Sequence, residues 1–135
     1  MRIVEPSVKL VWMTENPLQV IERCGRTCYK SEDKITDESA IRFVDMLLKN
    51  GHESVIEHAS MSYRVVCDRG VSHEIVRHRL FSYSQESTRY VNYTKGGMHV
   101  IRPYGISGAD SEACWWNVCK DSENAYNALI EHGYK

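Results

Sequence analysis

Fourteen consecutive residues, Arg77 through Tyr90, hold three arginines, a histidine, three serines, a threonine, a Gln-Glu pair and two tyrosines. The stretch sits mid-chain between apolar segments, and only Leu80 and Phe81 read as core residues within it. It is not an ordinary solvated face, because such faces favour Lys and Glu over Arg, Tyr and Ser. Arginine presents a planar fork of donors that fits phosphate or carboxylate through two bonds at once. The hydroxyls and the amide add short-range donors and acceptors for an oriented polar ligand. The strip predicts a site for an anionic, phosphorylated ligand, and the fold has to display it.

The flanking segments supply the scaffold. Val8–Met13 reads as a first strand, and Asn16-Pro17 as a helix start with Asn as cap and Pro in the first turn. That helix carries Leu18, Val20, Ile21 and Cys24, with Gly25 expected to interrupt it before Cys28-Tyr29. Cys24 and Cys28 share a helical face and read as buried small hydrophobes. A second helix, capped by Thr36 or Asp37, places Ile41, Val44, Leu47 and Leu48 at helical spacing and stops at Asn50-Gly51. Ser60–Cys67 alternates with period two, as a strand does. Asp68-Arg69-Gly70 turns the chain, and Val71–Arg79 is expected to be the helix that delivers the polar strip.

After the strip, Lys95-Gly96-Gly97 is a turn or lid, Met98–Pro103 a short strand, and residues 105–108 a loop. A last long helix runs from about Asp110; Trp115 and Trp116 on it read as core or oligomer packing. The fold class is α+β, an antiparallel sheet flanked by helices, in a single domain over residues 1–135.

Composition narrows the partners. With 42% hydrophobic and 26% charged residues and a net charge of -1, the chain carries no general nucleic-acid or membrane surface. Positive charge is local: Arg64, Arg69, Arg77, Arg79, Arg89 and Arg102 accompany one lysine, Lys95, between residues 64 and 102. Five cysteines without a disulfide spacing, and an opening Met1–Pro6 with no apolar core, predict reduced thiols in a cytoplasm.

Arg77-His78-Arg79, seven residues, then Ser87 resembles the signature of flavin-dependent thymidylate synthases, the ThyX family. Gly51-His52-Glu53-Ser54 with Glu57-His58 is similar to the family's upstream segment, and Ser87-Thr88-Arg89-Tyr90 to its Ser-x-Arg-Tyr. Ala125–Tyr134 is similar to the helix that follows the signature. The resemblance implies a ThyX-like fold. It also implies conversion of deoxyuridine monophosphate (dUMP) to thymidylate, a methyl transfer with methylenetetrahydrofolate and NADPH as co-substrates and FAD as cofactor. Carried over by position, His52, Ser54, Arg77, His78, Arg79 and Gln85 match FAD-binding residues. Glu74, Ile75, Val76, Arg77, Gln85, Glu86, Ser87, Thr88 and Arg89 match dUMP-binding ones. The resemblance further implies a homotetramer with sites between subunits. It places the uracil-polarising arginine beyond Lys135, so the chain is expected to be C-terminally truncated, with no catalytic residue assigned and its activity in doubt.

Ser87 lacks a neighbouring base that would make it a nucleophile, so its role is nucleotide binding. No metal ligand is assigned: His52 and His58 are six apart and do not share the helical face a zinc-protease pattern needs. Two other readings stand beside the enzyme: a flavin- or nucleotide-binding module without turnover, and a zinc-dependent hydrolase built on His52, His58, His73 and His78.

Overall fold

The computed structural model describes residues 1–134. They divide into two compact units, Val8–Arg64 and a second made of Met1–Ser7 with the chain from Val65 onward.

The Val8–Arg64 unit holds most of the β2 (Ser7–Met13) and β3 (Met61–Val66) pair, with α1 (Pro17–Tyr29) and α2 (Ser39–Lys49). The Thr14 N–H donates to the Ser60 carbonyl at 2.9 Å, and the Ser60 N–H to Thr14 Oγ1 at 3.0 Å. These bonds set the end of β2 beside the start of β3, as in an antiparallel pair. Its core is Ile21 from α1 with Phe43, Val44 and Leu47 from α2, joined by half-buried Val55, Ile56 and Ala59.

Several local expectations are corrected here. Gly25 does not interrupt α1, which continues to Tyr29 and ends on a left-handed Lys30 (φ 47°). Gly25 is instead the point of closest approach, because a Cβ there would stand 2.6 Å from Phe43 Cε1. Asn16 precedes Pro17 as expected, but in the left-handed region and without a side-chain cap bond. The residue preceding α2 is Glu38, and the Ser39 hydroxyl accepts from the Thr36 N–H at 2.9 Å. The buried face of α2 is Ala40, Phe43, Val44 and Leu47, whereas Ile41 and Leu48 are 68% and 56% exposed. At 100° per residue, Ile41 and Leu48 fall together on a flank about a quarter turn from that face. Cys24 is half-buried and Cys28 exposed, so the pair is not a core pair.

In the other unit, β1 (Arg2–Ile3) pairs in parallel with β4 (His99–Val100), Arg2 opposite His99 and Ile3 opposite Val100. The expected single antiparallel sheet is therefore two two-stranded sheets, one of them parallel. Only two residues of Met98–Pro103 pair, His99 and Val100, matching the two residues of β1. α3 (Arg69–Ile75) and α4 (Ala109–Glu131) complete the unit. Asp68 caps α3, its Oδ1 accepting the Val71 N–H at 3.0 Å. Asp110 and Glu112 lie in the first turn of α4, where carboxylates complement the helix dipole. Trp115 and Trp116 on α4 are half-buried, their ring centroids 6.2 Å apart.

No described residue of this unit is fully buried, so polar links carry much of its order. Glu123 Oε1 accepts from the Met1 ammonium at 2.7 Å and from the Met98 N–H at 3.1 Å. Arg102 Nη1 donates to Glu112 Oε1 at 2.7 Å. The described helices include none long and apolar enough to cross a membrane.

Candidate functional site

The strip that follows α3 is not helical. α3 stops at Ile75, and Arg77 N–H and His78 N–H close short turns onto the Glu74 and Ile75 carbonyls at 3.2 and 3.1 Å. The expected helix to Arg79 fails for a physical reason. α3 is seven residues long with none buried, and a helix that short needs packing to propagate. Glu74 and Ile75 thus lie in the last turn of α3, Val76 caps it, and Arg77–Leu80 form turns. Residues 82–87 run without regular structure into a turn at Thr88–Tyr90.

The side chains of the strip face water. Leu80 is 96% and Phe81 67% exposed, so neither is the core residue its apolar character suggested. Arg77 makes one long contact, Nε to Glu74 Oε1 at 3.7 Å, with both side chains about three-quarters exposed. Such a pair contributes little. Arg79 and Arg89 are exposed and form no ion pair among the described residues. Cationic forks left without internal carboxylates suit a ligand phosphate.

Other groups in the strip are held. The Tyr83 hydroxyl donates to the His78 carbonyl at 3.0 Å, closing the loop that carries Arg79. Gln85 Nε2 donates to Ser72 Oγ on α3 at 2.7 Å. Ser87 Oγ accepts the Arg89 N–H at 3.2 Å, and the Ser87 carbonyl accepts from Tyr90 and Val91. The serine hydroxyl thus shapes the turn while keeping its own proton to donate. Glu86 Oε1 accepts from the Tyr93 hydroxyl at 2.8 Å. Burial, then the Glu86 hydrogen bond, raises the Tyr93 phenol above its ordinary value, which keeps it a donor.

His52 and Ser54 belong to the Val8–Arg64 unit, at the start of a 3-10 helix over Glu53–His58. Both are exposed. His52 Nδ1 lies 2.8 Å from the Tyr29 hydroxyl, the two rings stacked at 6.3 Å and 16°. Tyr29 in turn meets Phe43 edge-on at 6.3 Å. The structure therefore joins His52 to the core through Tyr29, at the end of α1.

Tyr29 and Tyr93 are the residues that sequence reasoning missed. A tyrosine twenty-three residues from its histidine carries no spacing signal, and Tyr93 reads as part of a loop. A surface hollow of about 380 Å³, lined by Arg26, Thr36, Ser39 and Arg42 among others, takes in none of the sequence-predicted residues. Among the described residues no three His, Cys, Asp or Glu side chains gather into a group fit to hold a metal ion.

Comparison with known proteins follows the same residues. The chain matches the family model described as thymidylate synthase complementing protein over residues 9–135. A flavin-dependent thymidylate synthase of Geobacter sulfurreducens is 31% identical over 134 residues, covering 93% of this chain and 58% of that protein. One from Mycobacterium sp. (strain JLS) is 36% identical over 131 residues, covering 94% of this chain and 51% of that protein. A probable flavin-dependent thymidylate synthase of Mycobacterium phage D29 is 36% identical over 118 residues, 83% of this chain and 50% of its own. The chain spans about half the length of the curated relatives it matches. With 127 of 135 residues inside the family model, the chain belongs to the thymidylate synthase complementing protein family.

Proposed function

We propose that the chain is a single ThyX-like domain over residues 1–135 that binds flavin and dUMP for flavin-dependent thymidylate synthesis. The observation that carries this is the polar strip: Arg79, in the loop closed by Tyr83, and Arg89, on the turn shaped by Ser87, stand exposed without ion-pair partners among the described residues, in a chain of this family. FAD is the proposed flavin, held by His52, Ser54, Arg77, His78, Arg79 and Gln85. Glu74, Ile75, Val76, Arg77 and Gln85 through Arg89 are the proposed contacts of dUMP.

The flavin, when bound, supplies the redox chemistry, with NADPH and methylenetetrahydrofolate as co-substrates. The protein's residues bind and orient. Arg79 and Arg89 neutralise phosphate charge by charge-assisted hydrogen bonds. The Ser87 hydroxyl donates its free proton to an anion, and His52, anchored by Tyr29, presents its other ring nitrogen.

Self-association as a homotetramer and residence in the cytoplasm belong to the same proposal. Self-association is supported by apolar surface left uncovered on the β2–β3 pair, where Val8, Val11 and Trp12 are more than half exposed, as are Met61 and Tyr63.

The test is the visible spectrum of the purified protein, then titration with dUMP and assay of tritium release from dUMP labelled at the carbon to be methylated. Flavin absorbance that dUMP perturbs is the expected result. A colourless protein that takes up no added FAD overturns the proposal. Bound flavin and dUMP without tritium release favours a binding module instead.

A further inference from the structure

Glu86 is an awkward residue for the nucleotide role proposed above, on which this inference rests. It stands between Gln85 and Ser87, three positions before Arg89, in the stretch assigned to an anion. A free carboxylate there repels a phosphate or competes with it for Arg89. The structure shows what restrains it. Gln85 bonds to Ser72 on α3 at 2.7 Å, whereas Glu86 bonds to Tyr93 at 2.8 Å, so the two neighbours are held by different partners. Tyr93 is itself fixed from two further directions. Its N–H donates to the Tyr126 hydroxyl on α4 at 3.3 Å, with the rings edge-to-face at 6.0 Å. Its carbonyl accepts the Gly97 N–H at 2.8 Å, closing the turn.

We infer that Tyr93 is a positioning residue that holds the Glu86 carboxylate off the nucleotide's phosphate, leaving Glu86 to meet dUMP through its backbone, and so sets affinity for the nucleotide. Its hydroxyl acts on the ligand only through Glu86, and α4 is the element against which the tether is anchored. Burial favours the protonated phenol, so the donor persists at neutral pH.

A double-mutant cycle tests this, with dUMP affinity of the full chain as readout. Tyr93→Phe keeps the ring against Tyr126 and removes only the donor. It is expected to weaken dUMP binding about tenfold, the scale of one hydrogen bond to a charged group. In a Glu86→Ala background the same change is expected to alter affinity by less than about twofold, since no carboxylate is left to restrain. Equal weakening in both backgrounds means Tyr93 acts through packing and overturns the proposal. No weakening in the wild-type background overturns it as well. A wild-type chain that binds no dUMP overturns the nucleotide reading beneath it, a result distinct from either.

Discussion

The α-carbon of Gly25 packs directly on the ring of Phe43. A methyl group there would lie 2.6 Å from Cε1, 3.1 Å from Cζ and 3.3 Å from Leu47 Cδ1. The ring cannot swing aside cheaply. It is 6% exposed, Tyr29 meets its edge, and the Arg26 guanidinium lies 4.3 Å from its centroid. Gly25→Ala sets two effects against each other. Alanine gains about 1 kcal/mol of helix propensity, while overpacking a filled core costs about 1–3 kcal/mol. Overpacking is expected to win, lowering stability by about 1 kcal/mol net. Urea unfolding measures it; an unchanged or raised midpoint shows that the ring relocates freely.

The second prediction concerns the buried carboxylate that Arg26 holds. Glu22 is 1% exposed and accepts from Arg26 at 2.9 Å and from the Ser39 hydroxyl at 2.9 Å. Removing one partner of a buried pair strands the other charge, at a cost of about 3–5 kcal/mol. Arg26 keeps some exposure and Ser39 still donates, so Arg26→Met is expected at the low end, about 3 kcal/mol. Glu22→Gln with Arg26→Met is expected to be less destabilised than Arg26→Met alone. Denaturant midpoints of the single and double variants decide it, and a more stable Arg26→Met sinks the idea.

How far the sequence reveals this arrangement depends on which forces leave a local trace. β2, β3, α2 and α4 were legible because apolar periodicity and stop signals are short-range. The phase of α2 was misread: Ile41 and Leu48 fit the period, but Phe43 wins the core because α1 opens a slot for it at Gly25. Gly25 looked like a breaker for the same reason, its partner being distant in sequence. The length of α3 was overestimated because propensity continues past Ile75 whereas packing does not. Of the site, the charged signature was plain to read. Its supports, Tyr29 under His52 and Tyr93 under Glu86, arise from chain reversal alone and have no pattern.

Acid should loosen one unit in a defined window. The Met1 ammonium, then the Met98 N–H, hold the Glu123 carboxyl below its ordinary value of 4.5. A depressed folded value means that this stabilisation is fully present above the ordinary value and disappears as pH falls through the folded one. Glu123→Gln is therefore expected to be less stable than wild type near neutral pH and to converge with it in acid. Thermal melts of both proteins between about pH 7 and pH 3 provide the comparison. A gap that stays constant with pH shows that Glu123 contributes through shape, not charge.

Arg79 gives the sharpest separation of binding from folding. It follows the end of α3 in a turn, exposed, with no ion-pair partner among the described residues, so the fold itself draws little from its charge. A phosphate held by its guanidinium would contribute roughly 1.5–3 kcal/mol, or about 10- to 150-fold in affinity. Arg79→Ala is expected to lose flavin on desalting while melting within about a degree of wild type, as surface substitutions do. Arg79→Lys restores the charge but not the planar fork, and is expected to recover only part of the affinity. Equilibrium titration with FAD, followed by flavin fluorescence, gives the constants for all three. If Arg79→Ala retains its flavin and melts several degrees lower, the residue supports the turn and the phosphate lies elsewhere.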